Sequence, residues 1–289
     1  MTGHGGDDLA SPGDLLSPGE LARLRDLAQS LAREAGELIQ RDRPARVEVA
    51  ATKSSPTDVV TEKDRAAEHL IRSRLAQERP DDGMLGEEAG LQSGRSGLTW
   101  VVDPIDGTTN YLYGIPFYAV SVAVVTGDPQ VPGQWASIAG CVHNPATGHT
   151  WSAARGLGAD LDGTVLQAPG PPALDQALVG TGFGYRPQRR RAQARVAADL
   201  LPRVRDLRRI GSASIDLCML ACGWLDAYYE RGLNPWDLAA GALVATESGV
   251  VVRGLGAAPA SEQMLVAARR PLVDVLAIEL ERLDAGSPD

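Results

Sequence analysis

Trp100-Val101-Val102-Asp103-Pro104-Ile105-Asp106-Gly107-Thr108-Thr109-Asn110 places two carboxylates, a glycine and two threonines at the end of a short apolar run. The β-branched pair Val101-Val102 favours a buried strand, and Pro104 interrupts its regular continuation, so Asp103 and Asp106 are expected at the strand's carboxyl end. Open α/β sheets place ligands at that end. Asp106-Gly107-Thr108-Thr109 then reads as a turn into a helix N-terminus, whose free N–H groups and positive dipole end suit a phosphate. Acidic side chains beside an anion site imply a cation between them. Taken alone, the run is equally a strand, an Asp-Gly turn and an ordinary helix cap.

Its companions change that balance. Gly86-Glu87-Glu88 lies upstream and Asn234-Pro235-Trp236-Asp237-Leu238-Ala239-Ala240-Gly241 far downstream, each with a carboxylate beside a Gly or Pro break. Glu87, Asp103, Asp106 and Asp237 would then come from four strand ends or helix starts. Without compensation, four carboxylates in one cleft repel and raise one another's pKa, and hard divalent cations remove that repulsion. An all-oxygen set favours Mg²⁺ or Mn²⁺, and the lack of His and Cys argues against Zn²⁺. The carboxylates of the central run are spaced Asp-x-x-Asp, whereas the aspartyl-phosphate route of the haloacid dehalogenases uses Asp-x-Asp. Gly180-Thr181-Gly182-Phe183-Gly184 is not followed by the glycine fingerprint of dinucleotide or P-loop sites, and reads as a strand-to-loop turn.

The 289 residues can bury a large core, and the net charge of −9 argues against a general affinity for nucleic acid or an anionic membrane. Cys141, Cys218 and Cys222 form no Cys-x-x-Cys pair and read as reduced core residues. No apolar run reaches the roughly 18 to 20 residues of a membrane span, so a cytoplasmic protein is expected. Residues 1–19 read as a disordered tail, 20–160 as an N-terminal α+β lobe carrying the metal loop, and 161–289 as a C-terminal α/β lobe. Within the first lobe, Leu21, Leu24, Ala28, Leu31, Ala35 and Leu38 have helical spacing, residues 52–60 read as a loop, and a second helix opens at Thr61. Residues 90–97 are expected to be a loop, as are His143 and His149. Arg189, Arg190 and Arg191 are taken as a solvated helix end or a subunit contact.

The ordered set Gly86-Glu87-Glu88, Trp100 to Asn110 and Trp236 to Gly241 resembles the inositol monophosphatase family of metal-dependent phosphatases, its bacterial inositol-1-monophosphatases most closely. Lys53 to Asp64 matches that family's mobile N-terminal loop, and Gly211-Ser212-Ala213 and Ala227-Tyr228-Tyr229-Glu230 match its substrate side; the similarity runs from about residue 21 to the last helix. The resemblance implies a mixed α/β fold, a layered αβαβα sandwich, that hydrolyses inositol 1-phosphate. It implies two Mg²⁺ ions, with Mn²⁺ able to substitute. Glu87, Asp103 and the Ile105 carbonyl would hold one ion, and Asp103, Asp106 and Asp237 the other. Glu87 and Thr108 would orient and deprotonate the attacking water, and the Gly107 and Thr108 N–H groups would hold the phosphate. Ser212, Ala213, Glu230 and Asp237 would face the substrate, while Lys53, Asp58 and Asp64 would close over the site and contribute to a third ion. A homodimer, lithium sensitivity and a small phosphorylated polyol as partner follow from the same resemblance. Histidinol phosphate, fructose 1,6-bisphosphate and 3'-phosphoadenosine 5'-phosphate stay open as substrates, as does a regulatory protein that binds a partner on a phosphatase scaffold.

Overall fold

The computed structural model describes residues 16–41, 43, 50–52 and 59–287. Helix α1 (Pro18–Gln40) opens on Ser17, whose hydroxyl accepts the Glu20 N–H, with proline in the first turn where a missing N–H costs nothing. The helix starts where Ser17-Pro18-Gly19-Glu20 reads as a capped start with proline first, and so slightly inside the 1–19 stretch expected to be tail: Pro18 and Gly19 are helical and Leu16 packs on the core, while residues 1–15 lie outside the described residues. Two short strands, β1 (Ala51–Thr52) and β2 (Val59–Val60), pair antiparallel within what the sequence suggested was loop. Helix α2 (Glu62–Glu78) follows, with Thr61 and Asp64 capping each other reciprocally.

An eight-stranded sheet comes next: β3 (Gly83–Gly86), β4 (Gly90–Gln92), β5 (Leu98–Asp106), β6 (Ala119–Gly127), β7 (Trp135–His143), β8 (Thr150–Ala154), β9 (Gly158–Leu161) and β10 (Thr164–Val165). Their spatial order is β10-β9-β8-β7-β6-β5-β3-β4, antiparallel throughout except that β3 runs parallel to β5. The short helix α3 (Thr108–Tyr113) leaves the end of β5. A second sheet of five strands has the order β12-β11-β13-β15-β14, built from β11 (Leu178–Thr181), β12 (Asp206–Arg208), β13 (Ala227–Glu230), β14 (Val251–Arg253) and β15 (Leu265–Ala268). The helices α4 (Pro187–Leu200), α5 (Ala213–Cys222), α6 (Pro235–Glu247) and α7 (Leu272–Arg282) complete the chain.

The strand period of two sorts the first sheet's side chains. Trp100, Val102, Val120, Val122 and Val124 share a core with α1 and α2, whereas Val101, Ala119, Ala123 and Val125 share one with Ile215 and Cys218 of α5 and Ala239 and Leu243 of α6. The other faces of α5 and α6 send Leu217, Leu220, Leu238 and Ala245 against Tyr228, Leu265 and Ala267 of the second sheet. That sheet's far face, with Val179, Ala227, Tyr229 and Val266, is covered by Val196 and Leu200 of α4 and Leu272, Leu276 and Leu280 of α7. The result is five layers, α1/α2, sheet, α5/α6, sheet, α4/α7, which is the αβαβα sandwich expected from the sequence.

Some local readings need correction. The first sheet runs on through β9 and β10 to Val165, so a division after residue 160 would cut a strand, and the change of sheet falls between residues 165 and 178. Gly90 to Gln92 is an edge strand; Gly180 and Thr181 end β11, paired with β12 and β13, and the chain leaves the sheet at Gly182, the strand-to-loop turn expected there. His143 ends β7 buried, with Nδ1 2.9 Å from the Thr150 hydroxyl. All three cysteines are free, Cys141 and Cys218 buried and Cys222 half-buried. No helix among the described residues is long and apolar enough to cross a membrane.

Candidate metal and phosphate site

Strand β5 does not stop at Pro104. It continues to Asp106, which pairs with Ala119, but its register slips between Asp103 and Asp106, where proline cannot donate to the ladder. The slip leaves Asp103 buried with its Oδ1 accepting the Ile105 N–H at 3.0 Å. Asp106 is buried three residues on. Its Oδ2 accepts the Ser212 hydroxyl at 2.7 Å, the Ser214 N–H at 2.7 Å and the Ser214 hydroxyl at 2.5 Å, all from the start of α5. Asp237 comes from the first turn of α6, where one carboxylate oxygen accepts the Asn234 N–H at 2.6 Å in a capping box. Each aspartate therefore has one oxygen held by the fold. Ligand atoms of Asp103, Asp106 and Asp237 converge within 4.8 Å of one another.

Electrostatics at this point oppose the bare carboxylates. Burial raises the Asp106 carboxyl above the ordinary range against the pull of its three serine contacts. Burial raises Asp237 further, with the charges of Asp106 and Glu87 adding to it. A divalent cation between them would supply the missing positive charge, and the donors are all hard oxygens of the type Mg²⁺ or Mn²⁺ takes. The residues present fit such an ion.

The trio opens into a cavity of about 330 Å³. Glu87, at the β3–β4 turn, lines it outside the trio; its N–H donates to the Val102 carbonyl at 3.2 Å. Gly107 caps α3 with φ +93°, and a Cβ there would lie 2.9 Å from the Phe117 carbonyl oxygen, so only glycine fits. The Thr108 hydroxyl donates to the Ile105 carbonyl at 3.0 Å and lies 3.5 Å from Asp64 Oδ1. Its hydrogen is thereby committed, and its lone pairs are left to accept. Asp64 is buried behind Thr108, outside the cavity wall, with burial pushing its carboxyl up to about 7. Across the cavity stand Ala213 at the start of α5 and Glu230 at the end of β13. Tyr228 donates its hydroxyl to Glu230, whose carboxyl burial lifts to about 7.

Thus Glu87, Asp103, Ile105, Asp106, Gly107, Thr108, Ser212, Ala213, Glu230 and Asp237 line one cavity. Ser212 differs from expectation in what it touches: its hydroxyl is spent on Asp106. Lys53 and Asp58 lie outside the described residues. Sequence reasoning missed Ser214, since a hydroxyl two residues past Ser212 has no signature until the α5 start is known to face β5. It also missed four arginines in the cavity wall, Arg186, Arg189, Arg209 and Arg231. Of the two readings offered for the Arg189 segment, a solvated end does not fit Arg189 itself, which is half-buried and pairs with Glu262 at 3.4 Å.

A model of the inositol monophosphatase family matches residues 20–283. The chain is 44% identical over 291 aligned positions to an inositol-1-monophosphatase of Mycobacterium bovis, covering 93% of this chain and 97% of that protein. It is 35% identical over 231 positions to a protein of Vibrio cholerae named Nus factor SuhB, covering 78% of this chain and 83% of that one. Among solved structures, Mycobacterium tuberculosis SuhB superposes with a TM-score of 0.75 at 45% identity, covering 92% and 98% of the two chains.

Proposed function

The chain belongs to the inositol monophosphatase family and is a phosphoric monoester hydrolase, and from that premise we propose that it converts inositol 1-phosphate to myo-inositol and phosphate with Mg²⁺. One observation carries the reading: the three aspartates converge within 4.8 Å of one another beside the N-terminus of α3, in a cavity that also holds Glu87 and Glu230. Glu87, Asp103, the Ile105 carbonyl, Asp106 and Asp237 would hold two ions, and Asp64, with Asp58 and Lys53, would assist a third; Mn²⁺ fits the same oxygens. When bound, the ions supply Lewis-acid polarisation and neutralise charge on the attacking and leaving oxygens of an in-line displacement.

The chain's own residues do the rest. Glu87 takes a proton from the attacking water as its oxygen bonds to phosphorus, and Thr108, its own hydrogen committed, accepts a hydrogen bond from that water and fixes its approach; the ester P–O bond breaks and the leaving inositol oxygen takes a proton from solvent water. The Gly107 and Thr108 N–H groups hold the phosphate oxygens as charge develops, and losing one such donor typically lowers the rate about 10² to 10³-fold. Ala213 and Glu230 face the polyol, Glu230 accepting from its hydroxyls. No covalent phosphoenzyme is required. A cytoplasmic, lithium-sensitive homodimer is our reading from the family.

The test is phosphate release across inositol 1-phosphate, histidinol phosphate, fructose 1,6-bisphosphate and 3'-phosphoadenosine 5'-phosphate. Preference for inositol 1-phosphate supports the assignment, and preference for another ester moves it to that substrate. A second reading, a regulatory protein that binds a partner, is favoured by the name of the Vibrio relative. Turnover that vanishes in Asp106→Asn while a partner's binding survives would support it.

A further inference from the structure

A buried carboxylate that takes no part in the chemistry above lies directly behind the Glu87 turn. Glu68, on α2, is 2% exposed. Its Oε2 accepts the Glu88 N–H at 2.7 Å and its Oε1 the Ala89 N–H at 3.0 Å. Gly86 and Gly90 pair across the hairpin, so residues 87–89 form its turn, and Glu68 holds two of the three turn residues by their backbone. A Cβ on Gly86 would overlap the Glu68 carboxylate, so glycine at that position is what lets the helix approach. Arg72, one helical turn on, pairs with Glu68 Oε1 at 2.9 Å and reaches the Gly90 carbonyl at 3.4 Å and Gln92 Oε1 at 3.1 Å.

The Glu87 backbone is therefore gripped from two sides. Its own N–H is tied to Val102, the residue before Asp103, and the next two N–H groups are tied to Glu68. Asp64, four residues before Glu68 on the same face of α2, stands behind Thr108. One rigid helix thus backs both residues that the proposed function assigns to the attacking water. Backbone N–H to carboxylate bonds are charge-assisted and shorter than neutral ones, which suits a support that must hold its partner to a few tenths of an ångström.

We infer that Glu68 is a positioning residue for Glu87: it fixes the 87–89 turn so that the Glu87 carboxylate meets the aspartate trio, and it governs turnover and metal affinity, not substrate affinity. The inference rests on the role given to Glu87 above. Glu68→Gln keeps one acceptor for the two N–H groups and turns an NH₂ toward the other; Glu68→Ala removes both acceptors. The full chain is assayed for kcat and KM on inositol 1-phosphate, for Mn²⁺ binding by calorimetry, and for its melting curve. In Glu68→Gln, kcat and Mn²⁺ affinity fall about 10 to 100-fold, the usual range for an outer partner of a ligating residue, while KM stays within about threefold. Glu68→Ala falls further on the same axis, and if it does not fold, the Gln variant decides alone. Wild-type kcat and Mn²⁺ affinity in folded Glu68→Gln, or a change confined to KM, overturns the positioning role and leaves the proposed function standing. A wild-type chain that releases no phosphate contradicts the proposed function instead, and Mn²⁺ binding then still reads the Glu68 contact.

Discussion

Ser214→Ala should weaken Mg²⁺ binding about tenfold without touching any residue proposed to ligate it. Ser214 is fully buried and gives Asp106 Oδ2 two of its three hydrogen bonds, one from its N–H, which the variant keeps, and one from its hydroxyl at 2.5 Å, which it loses. The worth of that hydroxyl depends on the charge of Asp106. Burial works against the Asp106 anion in metal-free protein, and a bond to a neutral acceptor is worth about 1 kcal/mol. With Mg²⁺ bound, Asp106 is held as the anion, and a bond to a charged acceptor is worth about 1.5–3 kcal/mol. The difference, roughly 0.5–2 kcal/mol and centred near the tenfold value, must appear as lost metal affinity, because a ligand stabilises the folded state by its binding to that state alone. Denaturant unfolding with and without Mg²⁺, together with a Mg²⁺ titration, measures both sides. Equal destabilisation in the two conditions, with unchanged Mg²⁺ affinity, would refute the view that the α5 serines hold Asp106 in its ligating form.

Three further outcomes are expected. Asp237→Asn keeps an oxygen for the Asn234 N–H but removes a half-buried carboxyl whose ionised form desolvation and the charges of Asp106 and Glu87 oppose, so its metal-free melting temperature should equal or exceed wild type while Mg²⁺ no longer raises it and turnover is lost; a lowered metal-free melting temperature with an intact Mg²⁺ response would contradict the trio. Gly107→Ala forces φ +93° on an L-residue, costing about 1–2 kcal/mol before the overlap with Phe117, so a melting temperature lower by about 3–8 °C and a loss of turnover beyond a hundredfold are expected in calorimetry and phosphate assays. His143 is held neutral by burial with its pKa lowered to about 4, so the unfolded chain binds its proton first; the contribution is full above about pH 6.5 and is lost as pH falls toward 4. Allowing for partial solvent screening, about 2 kcal/mol is at stake, and His143→Gln should flatten the slope of stability against pH in that window.

What the sequence disclosed well were features that arise from short-range rules. The apolar stripe of α1, the helix opening at Thr61, and the strand-to-helix turn at Asp106-Gly107-Thr108 follow from helical periodicity and the turn chemistry of Asp-Gly. The layering was legible only through family resemblance, since nothing local says that α5 and α6 lie between two sheets. The interruption expected at Pro104 is a register slip, and pairing of Asp106 with Ala119 carries β5 past it so that both aspartates sit at the strand's end. The roles of Ser214, Glu68 and Arg189 were not legible for one shared reason: each acts on a partner 20 or more residues away, through a hydroxyl, a carboxylate or a guanidinium whose direction only the packed fold decides. Ser212 shows the converse, a residue in the cavity wall whose hydroxyl turns to the carboxylate behind it.

The most direct test is phosphate release from inositol 1-phosphate by the purified chain, with Mg²⁺ or with chelator, beside Asp106→Asn. Turnover that needs Mg²⁺ and disappears in the variant, while the variant's fold is unchanged by circular dichroism, is the predicted result. Turnover that persists in chelator, or that survives in Asp106→Asn, would contradict a reaction centred on the three converging aspartates.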